Sequence, residues 1–205
     1  MFRQPVTQPR PRIVRVVPRK VPKYGASAAP ILYYNKSGVP TPIPCLYLGL
    51  EKKGKYANGY NFIGGKHEPN DGFFPNGDAR WDVTVVRETY EETNTQGKHN
   101  PVLSAVIDRV NKNQLPTFCK GNSGIFCFRI ADGTRRDQFF PSKEMYGVGC
   151  FPVGGLVVAA RIHKAMNGGM IPTGIYDAMD IQGNIYKVSS YVLSAVLDPR
   201  FQTKF

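Results

Sequence analysis

Acidic residues are absent from the first fifty positions of this 205-residue chain, where the first carboxylate is Glu51. The same stretch holds eight basic residues: Arg3, Arg10, Arg12, Arg15, Arg19, Lys20, Lys23 and Lys36. From Glu51 onward, 19 basic residues accompany 15 acidic ones, so most of the net charge of +12 lies at the amino-terminal end. A basic segment on a nearly neutral body favours a polyanionic partner such as nucleic acid, and a solubilising tail is the alternative.

Long hydrophobic runs and cysteine pairs are also missing from the sequence. The most apolar stretch, 150–160, is too short to span a membrane and is interrupted by glycine and proline. The four cysteines form no C-x-x-C pair, and together with three scattered histidines they indicate no transition-metal site. The amino terminus does not resemble a secretory signal. We therefore expect an intracellular, cytoplasmic protein with reduced thiols and no membrane contact.

Proline distinguishes the first 24 residues from the rest of the chain. They contain five prolines and seven basic residues, and proline at this density excludes a helix and predicts a mobile, extended arm. Within the arm, the segment 13–17 (IVRVV) could pair as an edge strand. We expect residues 1–24 to form this basic, proline-rich arm and residues 25–205 to form one domain.

Apolar runs alternate with turn-forming residues along the body of the chain. Strands are predicted at 29–34, 45–50, 60–66, 124–130 and 149–153. Helices are predicted at 79–93, 156–166 and 185–197, the last with Asn184 as its N-cap. The apolar segment 102–110 fits either a strand or a helix. This order of elements predicts an α/β (α+β layered) domain with a mixed β-sheet and packed helices.

Three carboxylates lie close together on the predicted helix 79–93. Glu88, Glu91 and Glu92 follow an i, i+3, i+4 spacing, so a positive charge is expected among them, and Mg²⁺ and Mn²⁺ prefer such oxygen ligands. A solvated acidic face on an amphipathic helix gives the same pattern. The apolar stripe expected to pack on the core consists of Ala79, Val83, Val86 and Tyr90.

The segment before this helix favours a functional interpretation of the carboxylates. A predicted strand runs into a glycine pair, a loop and then the acidic helix, and in this order residues 64–95 resemble the signature of the Nudix hydrolases, G-x5-E-x7-R-E-u-x-E-E-x-G-u, where u is apolar. The match begins at Gly65, and the R-E-x-x-E-E positions are Arg87, Glu88, Glu91 and Glu92. The resemblance covers about residues 28–160 and implies a Nudix-like mixed β-sheet sandwiched between helices.

The sequence departs from the signature in its loop. Asp71 stands where the signature has its first Glu, and fifteen residues separate it from Arg87 where the signature has seven. The eight extra residues include GFFPNG and lengthen the loop that frames the site. Asp78 is the alternative acid, and a further interpretation is that no residue takes this role. Three later positions also differ from the signature: Thr89, Asn94 and Thr95.

The resemblance implies metal-dependent hydrolysis of a nucleoside diphosphate linked to another group. The expected catalytic residues are Glu88, as the base that helps to deprotonate water, and Arg87, which holds it in place. The expected ligands of Mg²⁺ or Mn²⁺ are Glu88, Glu91, Glu92 and Gly65, and the expected substrate-binding residues are Lys66 and Glu144. His67 and Glu68 are expected to be structural or exposed.

The signature does not choose among the substrates of the family, which include small nucleotides, nucleotide sugars, dinucleoside polyphosphates, inositol pyrophosphates and capped RNA. The basic arm favours RNA, because neutralising several phosphates strengthens RNA binding in a salt-dependent way, and mRNA decapping is the sharpest form of this hypothesis. A pyrophosphohydrolase of small substrates is one alternative. A Nudix-fold module that binds RNA or protein without catalysis is another, because the lengthened loop and the missing Glu both affect the site. The sequence does not determine the oligomeric state.

Overall fold

The computed structural model describes residues 23–35, 37–38, 41–93, 100–131, 134 and 142–205. Almost all of the predicted arm, including the segment 13–17, lies outside the described residues. The strands are β1 (Gly25–Tyr34), β2 (Ile43–Glu51), β3 (Tyr60–Asn61), β4 (Ile63–Lys66), β5 (Phe118–Lys120), β6 (Ser123–Arg129), β7 (Met145–Pro152), β8 (Ile175–Met179) and β9 (Ile185–Ser189). The helices are α1 (Trp81–Glu92), α2 (Pro101–Lys112), α3 (Val153–Met166), α4 (Ser190–Val196) and α5 (Pro199–Gln202).

These strands form one mixed sheet. Its order is β5-β6-β1-β2-β3-β9-β8, with β4 paired to β1 and β7 paired to β2. β1 runs parallel to β6 and β3 runs parallel to β9, whereas the other pairs are antiparallel. The predicted strand 60–66 is in fact two strands, because the chain leaves β2 after β3 and pairs with β1 from Ile63 onward. The predicted α/β class with a mixed sheet is confirmed.

The sheet is covered by helices on both faces. In β2, Leu46 and Leu48 pack into the cluster that α3, α4 and α5 share, whereas Cys45 and Tyr47 pack into the cluster that α1 and α2 share. Alternation of side chains along a strand sends them to the two faces in turn. Burial on both faces explains why β2 is apolar at almost every position. In the described part of the chain, no helix combines the length and apolarity needed to cross a membrane.

The ambiguous segment 102–110 lies in helix α2. The side chain of Asn100 accepts a hydrogen bond from the Leu103 amide at 3.0 Å, and Pro101 occupies the first turn. An Asn N-cap followed by proline is a favoured helix start, since the cap satisfies an otherwise unpaired amide and proline has none to satisfy. Apolar periodicity alone fits either a strand or a helix in this segment, and Asn100 and Pro101 explain why it is a helix.

The predicted helix 185–197 is wrong in its first part, which is strand β9. Asn184 lies in the β8–β9 turn, where its amide donates to Asp180 Oδ1 at 2.9 Å, and it is therefore not a helix cap. The cap of α4 is Ser189, whose Oγ accepts from the Val192 amide at 3.2 Å. Residues 185–189 become a strand because their backbone pairs with β3 on one side and β8 on the other, and the pairing with β3 is a long-range contact that local pattern does not contain.

The predicted core-facing stripe of α1 lies in the core only in part, since Val86 packs against the apolar cluster and Tyr90 does not. Val85 is fully buried, Val83 and Val86 are half-buried, and Tyr90 is 62% exposed. Ala79 is buried but precedes the helix. With side chains of α2, the half-buried valines and Tyr90 line an open groove of about 510 Å³. Helix α1 is rotated relative to the predicted orientation, so that its carboxylates and not its apolar stripe face the sheet at β4.

Candidate active site

The glycine pair of β4 allows helix α1 to approach the sheet. A Cβ at Gly65 would overlap the carboxylate of Glu88, so any larger residue there would push the helix or this carboxylate away. The Gly64 amide donates a hydrogen bond to Glu92 Oε2 at 2.7 Å. Two carboxylates one helical turn apart are therefore held against a stretch of strand that has no side chains.

Glu88 and Glu92 are both buried, at 8% and 7% exposure. Burial raises the pKa of Glu88 to about 7, although the charge and hydrogen bond of Arg87 oppose the shift. Burial likewise raises the pKa of Glu92 to about 9, against the hydrogen bond from the Gly64 amide and with the negative charge of Glu88 adding to the shift. The positive charge near this pair is insufficient to stabilise both ionised carboxylates.

Arg87 connects helix α1 to the preceding loop and to both neighbouring carboxylates. Its Nε donates to Asp71 Oδ1 at 2.8 Å, and its Nη2 donates to Asp71 Oδ2 at 2.9 Å. Nη2 also donates to the Lys66 carbonyl at 2.8 Å. Nη1 lies 3.0 Å from Glu88 Oε1 and 3.2 Å from Glu91 Oε2. A bidentate bond of this kind fixes the guanidinium plane and with it the position of Glu88.

Asp71 is the acid that pairs with Arg87, which answers a question that the sequence leaves open. It also accepts hydrogen bonds from the Glu68 amide and from Thr84 Oγ1, both at 2.9 Å. His67 Nδ1 lies 2.9 Å from Thr84 Oγ1, so the histidine supports this network from a buried position. Burial raises the pKa of Asp71, but the hydrogen bonds from Arg87, the Glu68 amide and Thr84 together outweigh it and lower the pKa to about 2.

The eight extra residues form a closed hairpin that leaves this pairing intact. Phe73 and Ala79 make an antiparallel bridge, and the Arg80 amide donates to the Gly72 carbonyl at 3.1 Å. Because the chain leaves and returns at the same place, the added length does not separate Asp71 from α1. Asp78, the alternative acid, is exposed at the hairpin and accepts a hydrogen bond from Asn76 at 2.9 Å.

The remaining predicted residues of the signature lie at the edge of this cluster. Glu91 has a side chain that is 52% exposed and contacts Arg87. Lys66 is exposed at the end of β4, and its contact with the site is made by its carbonyl group. The structure thus brings Glu88, Glu92, Arg87 and Gly65 together and leaves the Glu91 and Lys66 side chains facing solvent.

Two further carboxylates influence the cluster, and one of them was missed by the sequence analysis. Glu144 directly precedes β7, and its negative charge contributes to the raised pKa of both Glu88 and Glu92. Glu51, at the end of β2, contributes to the raised pKa of Glu92 and accepts a hydrogen bond from Asn61 Nδ2 at 2.6 Å. Burial raises the pKa of Glu51 itself. A single glutamate after an apolar strand carries no local signal of a site, because strand ends are commonly polar.

The described residues include no group of three or more His, Cys, Asp or Glu side chains that could hold a metal ion. The expected Mg²⁺ or Mn²⁺ site is therefore not shown by this structure. The chemistry of the donors nevertheless fits such a cation, because the buried carboxyl groups of Glu88 and Glu92 are hard oxygen donors whose charge is incompletely compensated. Metal binding stays a prediction.

Among known proteins, the chain has a likeness to a solved structure but no sequence match. A scan against protein-family models gives no match, and a search of curated proteins gives none. Among solved structures, the chain is similar to a MutT/nudix family protein from Enterococcus faecalis, with 14% sequence identity over 68% of this chain and a TM-score of 0.37. The chain spans 47% of the length of that structure.

Proposed function

We propose that this protein is a Nudix-type hydrolase that cleaves a pyrophosphate bond in a nucleoside diphosphate linked to another group. The observation that carries the proposal is the bidentate Arg87–Asp71 pair, which forms across the extra hairpin and holds Glu88 beside the glycine pair of β4. The resemblance predicts which residues belong to the site. Their contacts show how Asp71 and Arg87 hold Glu88 in position.

In this proposal, Glu88, Glu91, Glu92 and the Gly65 carbonyl would hold Mg²⁺ or Mn²⁺, which would neutralise the diphosphate and activate water. Arg87 fixes the carboxylate of Glu88 through its contact with Oε1 at 3.0 Å. Glu88 then accepts a proton from the attacking water at its carboxylate. The Gly64 amide keeps Glu92 turned toward the sheet, and the closed hairpin keeps Asp71 available to Arg87.

The test is a hydrolysis panel with purified protein in Mg²⁺ or Mn²⁺. The panel contains ADP-ribose, a diadenosine polyphosphate, an inositol pyrophosphate, nucleoside triphosphates, free cap dinucleotide and capped RNA. Glu92→Gln removes the carboxyl group that would ionise on binding a metal, with little change of shape, and is expected to abolish turnover. Asp108→Asn, at an exposed position of α2, is the matched control and is expected to behave as wild type. Turnover that survives Glu92→Gln would contradict the proposal.

For the substrate, we propose capped RNA, on the strength of the basic arm in residues 1–24. A basic segment adds affinity for a polynucleotide and adds little for a free nucleotide. Wild-type protein is expected to release capped nucleoside diphosphate from capped RNA. Deletion of residues 1–22, which spares the Tyr24 carbonyl that accepts from the His67 amide, is expected to raise KM for RNA without changing kcat on a small substrate. Activity confined to small nucleotides would refute the RNA assignment and retain the hydrolase.

A catalytically weakened module that binds RNA or protein is the second candidate. The observation in its favour is that the side chain of Glu91, an expected metal ligand, is 52% exposed and is paired with Arg87. In this case, the protein binds RNA and shows no turnover on any member of the panel, with or without metal.

A further inference from the structure

The loop between β2 and β3 carries three lysines in four positions, Lys52, Lys53 and Lys55, directly after Glu51. The loop is closed by backbone hydrogen bonds, in which the Glu51 amide donates to the Gly59 carbonyl at 3.1 Å. Beneath it, the Glu51 carboxylate is held by Asn61. The lysines are therefore presented by an ordered loop whose first residue belongs to the carboxylate cluster.

This loop is attached to the segment that carries Glu144. The Lys52 amide donates to the Glu144 carbonyl at 2.8 Å, and Lys52 Nζ donates to the Ser142 carbonyl at 2.5 Å. Lys52 Nζ also lies 5.2 Å from the ring centre of Tyr146. Lys52 thus joins the loop to the start of β7, and its own ammonium group is already engaged.

Lys53 and Lys55 have different surroundings. Lys53 Nζ lies 2.8 Å from Glu144 Oε1, with side chains that are 67% and 48% exposed. An ion pair this exposed contributes little to stability, so its geometry is informative chiefly about position. It places a cationic group on the loop whose first residue is held by Asn61, and Asn61 lies three residues before the Gly64 amide that binds Glu92. Lys55 is exposed, and its Nζ lies 5.4 Å from the ring centre of Tyr56.

The site therefore combines an acidic interior with a lysine-bearing rim. An acidic interior serves a metal-bound diphosphate, and it would repel any phosphate outside the reach of the metal. Ammonium groups at the rim remove that repulsion and donate hydrogen bonds to phosphate oxygens. A substrate whose remainder is an uncharged sugar would gain nothing from these ammonium groups.

We propose that Lys53 and Lys55 bind the phosphate groups of the substrate that lie beyond the scissile diphosphate, with Lys53 exchanging its Glu144 partner for a phosphate oxygen. This inference rests on the proposed function. The shared ligand chemistry is a run of phosphates, which either a polyphosphate chain or the backbone of capped RNA supplies.

The test is calorimetric binding in Mg²⁺ with methylene-bridged analogues of ADP-ribose and of diadenosine tetraphosphate. The variants are Lys53→Ala/Lys55→Ala and the conservative Lys53→Arg. Because Lys53→Ala leaves Glu144 unpaired, it is also made in a Glu144→Gln background. The matched control is Lys187→Ala, which breaks a similarly exposed ion pair with Asp177 of 2.7 Å on the β8–β9 hairpin.

Two lost phosphate contacts at an exposed rim are expected to weaken binding of the tetraphosphate analogue about tenfold, and binding of the ADP-ribose analogue less than about twofold. Lys53→Arg and Lys187→Ala are expected to bind as wild type does. A parallel titration with a short capped RNA and its uncapped counterpart distinguishes the source: a lysine-dependent loss with RNA assigns the loop to the RNA backbone, and a loss with the tetraphosphate alone assigns it to a polyphosphate chain.

Equal losses for both analogues, unchanged affinity in the double variant, or absence of binding by wild-type protein would overturn the inference. The proposed function is judged separately, by whether wild-type protein hydrolyses ADP-ribose or any other substrate and Glu92→Gln does not. If the protein is a hydrolase but its affinities do not depend on Lys53 and Lys55, the proposed function stands and the phosphate-binding role of the lysines is refuted.

Discussion

The ion pair between Asp71 and Arg87 should contribute measurably to the free energy of unfolding. The variant Asp71→Asn tests this contribution. The side chain of Asp71 is 2% exposed and that of Arg87 is 22% exposed. A pKa lowered from the ordinary value of 3.8 to about 2 corresponds to about 2 kcal/mol of stability at neutral pH, since one unit is worth about 1.4 kcal/mol. The asparagine also turns an amide N–H toward the guanidinium, which adds to the cost.

Arg87 keeps its contacts with Glu88, Glu91 and the Lys66 carbonyl, so the variant does not leave an isolated charge. We therefore expect Asp71→Asn to lower the free energy of unfolding by about 2–3 kcal/mol, at or below the lower end of the range for breaking a buried ion pair. The measurement is urea-induced unfolding followed by fluorescence of Trp81, the single tryptophan, which begins helix α1.

The pH dependence gives an independent check. Because the folded pKa of Asp71 is lowered, its contribution is present above the unfolded pKa of 3.8 and disappears as the pH falls toward about 2. The difference in stability between wild type and Asp71→Asn should therefore shrink by about 2 kcal/mol over this interval. Asp78→Asn, on the exposed hairpin, is the control and should change stability little. An Asp71→Asn midpoint equal to that of the control, or a difference that is constant with pH, would refute the pairing.

Three further predictions concern the helix contacts and the metal. Gly65→Ala should reduce turnover at least about tenfold and destabilise the fold by about 1–3 kcal/mol, because its Cβ overlaps the carboxylate of Glu88, whereas Gly147→Ala, with open space around it, should be neutral in both assays. Mg²⁺ or Mn²⁺ should raise the Tm of wild-type protein in a concentration-dependent way and should leave Glu92→Gln unshifted; equal shifts would count against metal binding at this carboxylate. Ser189→Ala should cost about 1–2 kcal/mol in urea unfolding, because it removes the cap of α4, and an unchanged midpoint would contradict that assignment.

Local patterns in the sequence carried much of the fold. Apolar runs located β1, β2, β6 and β7, and helical periodicity located α1 and α3, because strand and helix formation depend on spacing within a few residues. The i, i+3, i+4 spacing also determined that Glu88, Glu91 and Glu92 lie on neighbouring positions of one helix surface. These features follow from chain geometry and need no partner.

Which surface of α1 meets the sheet was decided only by the tertiary structure. Helical periodicity assigned the core to the valines and Tyr90, but the glycine pair of β4 leaves room for carboxylates and its Gly64 amide offers them a donor. Recruitment of Glu51 depends likewise on Asn61, which lies on the next strand and is itself bonded to Ser189 at 2.7 Å. Such contacts join residues distant in sequence, so no local window contains them.

The role of Asp71 shows the division most clearly. The sequence left three alternatives for the first acid of the signature: Asp71, Asp78 or no residue at all. The hairpin closes through the Phe73–Ala79 bridge, so the eight extra residues do not move helix α1 away from Asp71. Arg87 therefore still reaches Asp71. An ion pair depends on the distance between two side chains in space and not on the number of residues between them. A closed hairpin adds residues to the sequence without increasing that distance.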